Sequence, residues 1–209
     1  MQNFVHYGKI PLNPIKKELD SARKCWNPLD PKYKAFIDSE SIPLRKRIDE
    51  IGKKTSDCQN TEYTEFSKFF PCTLAILETL AAEFDGEIGV IFFVKLPSGN
   101  IVHKHRDIEE YFAIRDRYHI VLESTGSDMF VGDEHSIFYP GDFFWLNNDV
   151  LHYSENNSDI DRVHLIFDFL PKHTKDESLY KKRLIYTKLK QLQILQGHFG
   201  SNISWNLNR

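Results

Sequence analysis

The segment GNIVHKHRD places His105 and Asp107 two residues apart. In an extended strand such residues point to the same face, so both side chains can reach one metal ion. A third ligand must come from elsewhere, and FFWLNNDVLHYSENNS offers His152 just after an apolar strand. Two imidazoles and one carboxylate leave coordination positions open, which is the ligand set of non-haem iron(II) oxygenases. Two open positions suit a bidentate 2-oxo acid and the last suits O2, so the set fits oxidation better than simple hydrolysis.

Taken alone, His-x-Asp is a weak motif, and His103 also forms His-x-His with His105. His103 shares the period of His105 and reads as a supporting or structural group, with a substitute ligand as the other reading. The surroundings strengthen the pattern. Arg162 opens the strand RVHLIFDFL, where Arg162, His164, Ile166 and Asp168 share one face and Val163, Leu165, Phe167 and Phe169 the other. An Arg on such a face needs an anion, and the distal carboxylate of a dicarboxylate cosubstrate matches its planar fork. The bland alternative is a structural ion pair of Arg162 with Asp168 or Asp142. In RYHIVL the same parity puts Arg117 and His119 opposite Tyr118, Ile120 and Leu122. A loop salt bridge involving Arg115 and Asp116 is the rival reading there. His135 reads as exposed near a hairpin, and His6, His164, His173 and His198 as structural. Phe143 and Trp145 read as core.

These residues need a scaffold that brings separated strands together. The 209-residue chain, 41% hydrophobic and 27% charged, is within the range of one globular domain. Residues 1–86 read as a helical N-terminal part through NPIKKELDSARKCW, IPLRKRIDEIGKK and PCTLAILETLAAEF, the last stopped by Asp85-Gly86. From residue 87 to 171 the pattern changes to short β-branched and aromatic runs broken by turn signals, which means a sandwich or barrel. Residues 172–209 return to helical spacing and end in a tail. The expected fold class is α+β, a β-core with flanking N-terminal helices and a C-terminal helix.

A net charge of −3 and a pI near 6.3 ask for neither nucleic acid nor an acidic membrane as partner. The clusters Lys16/Lys17, Arg45/Lys46/Arg47, Lys53/Lys54 and Lys181/Lys182/Arg183 read as solvated helical faces. Cys25, Cys58 and Cys72 fit neither a disulfide framework nor a zinc knuckle. With no signal-peptide pattern and no membrane-spanning run, a cytoplasmic location is the expectation.

In their order, GNIVHKHRD, RYHIVL, PGDFFWLN and LHYSENNSDIDRVHLIFDF resemble the catalytic core of the aspartyl/asparaginyl β-hydroxylase family of 2-oxoglutarate oxygenases, over roughly residues 94–171. The resemblance implies that the β-core is a double-stranded β-helix of the jelly-roll or cupin type, that His105 and His152 bind Fe(II), that Arg162 holds 2-oxoglutarate, and that the Arg117/His119 pair helps bind it. Some members replace the triad carboxylate with Gly. This chain keeps Asp107, as bacterial free amino-acid hydroxylases do, which also argues against halogenation. The segment between His105 and His119 looks longer than in animal members, which puts the substrate in question. The implied activity is hydroxylation of an amino-acid side chain, of Asp, Asn or Pro type, free or within a polypeptide, using Fe(II), 2-oxoglutarate and O2. Two rival classes stay open: a cupin-type metalloenzyme that does not use 2-oxoglutarate, and a non-catalytic barrel binding module. Residues 1–86 and 108–117 are the expected frame of the substrate entrance.

Overall fold

The computed structural model describes residues 2–29, 34–48, 60–107, 110–113 and 115–171. The expected C-terminal helix and His173, His198, Lys181, Lys182 and Arg183 lie outside these residues, as do Lys53, Lys54 and Cys58.

Eight consecutive strands carry the core: β5 (Gly86–Leu96), β6 (Ile101–His105), β7 (Asp116–Glu123), β8 (Ser127–Val131), β9 (Glu134–Phe138), β10 (Asp142–Leu146), β11 (His152–Glu155) and β12 (Arg162–Pro171). They are divided between two antiparallel sheets, and the chain crosses from one to the other at every step except the β8–β9 hairpin. The major sheet contains the run β10-β7-β12-β5, and the minor sheet has the order β6-β11-β8-β9. A chain that crosses between facing sheets in this way is a double-stranded β-helix. Among the described residues, no helix is long and apolar enough to cross a membrane.

The major sheet is buried on both faces. Outside it pack Ile15 and Leu19 of α1 (Asn13–Ser21) and Ile76, Leu77 and Leu80 of α2 (Pro71–Glu83), against Tyr118, Ile120, Leu122, Phe143, Trp145, Leu165 and Phe167. Between the sheets lies a smaller cluster of Val121, Met129, Val131, Phe138, Phe144 and Leu146. The side chains of β7 and β12 therefore alternate between an aromatic layer under the helices and the interior of the barrel. Burial of the large rings on the helix side contributes roughly 1.5–3 kcal/mol each.

Pro71 starts α2 at a position that needs no backbone donor. The orphan N–H groups there are satisfied by a side chain from α1: Glu18 accepts from the backbone of Cys72 at 2.6 Å and of Thr73 at 2.9 Å. The carboxylate thereby fastens one helix to the positive end of the other. Asp85 takes φ 48°, the left-handed conformation that ends α2 before Gly86.

The helical expectation for IPLRKRIDEIGKK is corrected. Its described part is β3 (Glu40–Arg47), which pairs with β5. Ile42 and Leu44 alternate inward and are fully buried. The edge of β5 left open by β12 requires a partner, and tertiary pairing overrides the local helical period. Arg45, Lys46 and Arg47 thus sit on a strand, not on a helical face. The N-terminal part also supplies β1 (Phe4–Lys9), paired with β10, β2 (Asn27–Pro28) and β4 (Thr61–Tyr63), both paired with β3.

Candidate metal centre and its surroundings

β6 ends at His105 and β11 begins at His152, and the antiparallel register sets the two residues directly opposite each other. Their ring centroids are 4.2 Å apart. Asp107 lies just past the strand end, where its backbone N–H donates to Asn148 O at 3.1 Å. Each of His105, Asp107 and His152 offers a ligand atom, and the three atoms lie within 4.8 Å of one another. This is the one such grouping of at least three metal-ligating side chains among the described residues.

The hydrogen bonds around these residues fit a metal. Nδ1 of His105 is 2.7 Å from His103 O, and Nδ1 of His152 is 2.8 Å from Val150 O. A ring nitrogen facing a carbonyl must carry the proton, so in both neutral rings the lone pair is on Nε2. Nε2 of His105 is buried with no hydrogen-bond partner among the described residues. Burial, followed by the proximity of His105, lowers the His152 pKa to about 4. Burial likewise lowers that of His105. Both rings are therefore neutral and ready to ligate at physiological pH.

Asp107 is held from behind. Its Oδ2 accepts from Arg117 Nη1 at 2.8 Å and from Asn148 Nδ2 at 3.3 Å, while Oδ1 lies 3.9 Å from His105 Nε2. The same guanidinium donates through Nε and Nη2 to the two oxygens of Asp168, at 2.8 and 3.0 Å. Burial opposes the charge on Arg117, but Asp168 and Asp107 outweigh it and hold its pKa above the ordinary value. Arg117 was expected beside a cosubstrate. Its hydrogen bonds here go to two carboxylates, and through one of them it aims Asp107 at the centre. Strand parity put Arg117 on this face but could not name its partners.

Arg162 is 4% exposed, and burial lowers its pKa to about 10, still leaving it charged at neutral pH. Asp168 pairs with Arg117, and Asp142 with His6 and Lys9. Arg117, His119, Arg162, His164 and Asp168 point away from the aromatic layer formed by Tyr118, Val163, Leu165 and Phe167. His119 stacks on Phe144 with centroids 5.0 Å apart, and its Nδ1 is 3.3 Å from Nδ1 of His164.

His164, read above as structural, thus sits among the polar groups of the interior, as does Asn148, which the sequence reading passed over. The place of His164 two residues beyond Arg162 on one strand was the available signal. His103 is exposed and contributes through its carbonyl. His135 is exposed, bonds Asp128 at 2.6 Å and stacks on Phe130. Phe143 and Trp145 are core residues. Two other segments border the site: Phe36 packs edge-on against His105 at 4.9 Å, and Phe112 lies 4.6 Å from Arg117.

Comparison with known proteins agrees with this architecture. No curated protein matches the chain. Among solved structures, an oxidoreductase of the 2OG-Fe(II) oxygenase family from Burkholderia pseudomallei has 15% identity and a TM-score of 0.54, over 78% of each chain. A prolyl-4-hydroxylase from Pseudomonas putida has 13% identity and a TM-score of 0.50, over 83% of this chain and 95% of that one. A shorter match, to AerE from Microcystis aeruginosa, has 20% identity and a TM-score of 0.33, and spans 39% of this chain and 35% of that one. At these identities the likeness is one of fold. The family model for aspartyl/asparaginyl beta-hydroxylase matches residues 49–171, which is more than half of the sequence and includes every residue of the candidate centre. The chain belongs to the aspartyl/asparaginyl beta-hydroxylase family.

Proposed function

We propose that the chain is an Fe(II)- and 2-oxoglutarate-dependent dioxygenase that hydroxylates an amino-acid side chain, free or within a polypeptide, and releases succinate and CO2. The observation that carries this reading is the convergence of His105, Asp107 and His152, with both imidazole Nδ1 atoms anchored on carbonyls. Family membership and the fold of the oxygenase neighbours support it.

In this reading His105 and His152 each present an Nε2 lone pair and Asp107 presents Oδ1, leaving positions for a 2-oxo acid and O2. Iron bound there supplies O2 activation coupled to oxidative decarboxylation of the 2-oxo acid. The rest is the work of the chain. Arg117 holds Asp107 in a single orientation through Oδ2. Arg162 takes the distal carboxylate, its fork matching two oxygens in a site shielded from water. Phe144 and Leu146 keep the interior apolar beside it. The contact of Phe36 with His105 supports a role for the N-terminal part at the substrate entrance.

The test is anaerobic titration of Fe(II)-loaded protein with 2-oxoglutarate, watching for the weak visible charge-transfer band of a chelated 2-oxo acid. A band that is lost in His105→Ala supports the oxygenase. Fe(II) binding without the band would replace it by a cupin-type metalloenzyme that does not use 2-oxoglutarate.

A further inference from the structure

His119 and His164 come from neighbouring strands of the major sheet and meet through Nδ1 at 3.3 Å, 5% and 1% exposed respectively. Nε2 of each ring is buried with no hydrogen-bond partner among the described residues. A buried imidazole nitrogen left without a protein partner is open to a ligand atom. Burial and the nearby guanidiniums keep both rings neutral: Arg117 and Arg162 act on His119, and Arg162 on His164.

A neutral imidazole carries one proton, so a contact between two Nδ1 atoms requires that one donate and the other accept. The donating ring then turns a lone pair outward at Nε2, and the accepting ring turns an Nε2–H outward. The pair therefore presents one donor and one acceptor, and the tautomer of one ring dictates that of the other. His164 follows Arg162 by two residues on the same strand face, and an outward N–H there complements an anion on that guanidinium.

We propose that His119 and His164 form one tautomer-locked unit, in which His119 Nδ1–H donates to His164 Nδ1 and His164 Nε2–H donates to a carboxylate seated on Arg162. His164 is then a binding residue for the cosubstrate and His119 the residue that positions its proton. The inference rests on the oxygenase reading for the identity of the carboxylate, while the tautomers are a property of the protein alone.

The experiment uses the full chain loaded with Mn(II) and measures 2-oxoglutarate affinity by calorimetry. Gln places an N–H near the position of Nε2 and Asn near that of Nδ1. His164→Gln should stay within about threefold of the unmodified chain, while His164→Asn weakens binding about tenfold or more, the size of one hydrogen bond to a charged group. The order reverses at His119, where Asn preserves affinity and Gln does not. Mn(II) affinity and melting temperature, measured alongside, identify variants that simply misfold. Nitrogen-15 NMR of the metal-free protein reads the tautomers directly, with the proton expected on Nδ1 of His119 and on Nε2 of His164. Failure of the unmodified chain to bind 2-oxoglutarate would overturn the oxygenase reading, and NMR would still decide the pair. Binding with equal losses for Gln and Asn, or a proton on Nδ1 of His164, would overturn the locked unit while leaving the oxygenase intact.

Discussion

Replacing Asp168 by Asn tests whether the buried ionic chain behind Asp107 acts on the metal centre. Asp168 is fully buried and accepts two hydrogen bonds from Arg117, whose third goes to Asp107. Removing one partner of a buried ion pair costs about 3–5 kcal/mol, because the remaining charge is left uncompensated. Asn keeps one acceptor, and Asp107 still faces the guanidinium, so about 3 kcal/mol is expected. That is less than the total stability of a typical domain, and the variant should fold. Arg117, freed of Asp168, can shift toward Asp107 and draw its carboxylate off the centre. Groups that orient a metal ligand affect affinity by about 10–100-fold, and about tenfold is expected here. Urea denaturation of the metal-free protein gives the first quantity and calorimetric titration with Mn(II) the second. Asp128→Asn, which breaks the exposed contact with His135, is the control and should change stability by less than about 1 kcal/mol. An Asp168→Asn variant with unchanged Mn(II) affinity would refute the link between Asp168 and the centre. A stability loss no larger than that of the control would refute the energetic reasoning too.

Lowered histidine pKa values make stability depend on pH. His152 falls to about 4, and His105, His119 and His164 also lie below their ordinary value, so between pH 4 and 6.5 the unfolded chain binds more protons than the folded one. Stability of the metal-free protein should fall as pH drops through about 6.5, with His152 alone contributing about 1 kcal/mol between pH 7.5 and 5.5; a flat denaturation midpoint over this range would contradict the shifts. Arg162→Lys keeps the charge but loses the planar fork, and should weaken 2-oxoglutarate binding by about tenfold or more in calorimetry. Gly89→Ala places a Cβ against the Tyr111 hydroxyl, which accepts from Val90 N, and 3.2 Å from Asp168 O. It should destabilise the fold by about 1–3 kcal/mol in urea denaturation. His103→Ala should leave Mn(II) affinity within about twofold, because only the carbonyl of His103 touches His105; a larger loss in titration would point to a ligand role for its side chain.

What the sequence by itself determined is what repeats along a single strand or helix. Alternation in RVHLIFDFL and RYHIVL separated the polar faces of β12 and β7 from their aromatic ones, and the structure has the same division. Helical spacing between Pro71 and Asp85-Gly86 likewise marked α2, because caps and breakers are local. Spacing also singled out His105 with Asp107. Only the tertiary structure decided which strands are neighbours. It set His152 opposite His105, gave Arg117 to Asp107 and Asp168, and brought His164 against His119. It also made IPLRKR a strand, because the free edge of β5 outweighed a local helical preference. Side-chain direction follows from backbone period, which a short stretch of sequence carries. Register between distant strands follows from which apolar faces must be covered together, and no short segment of this chain contains that information.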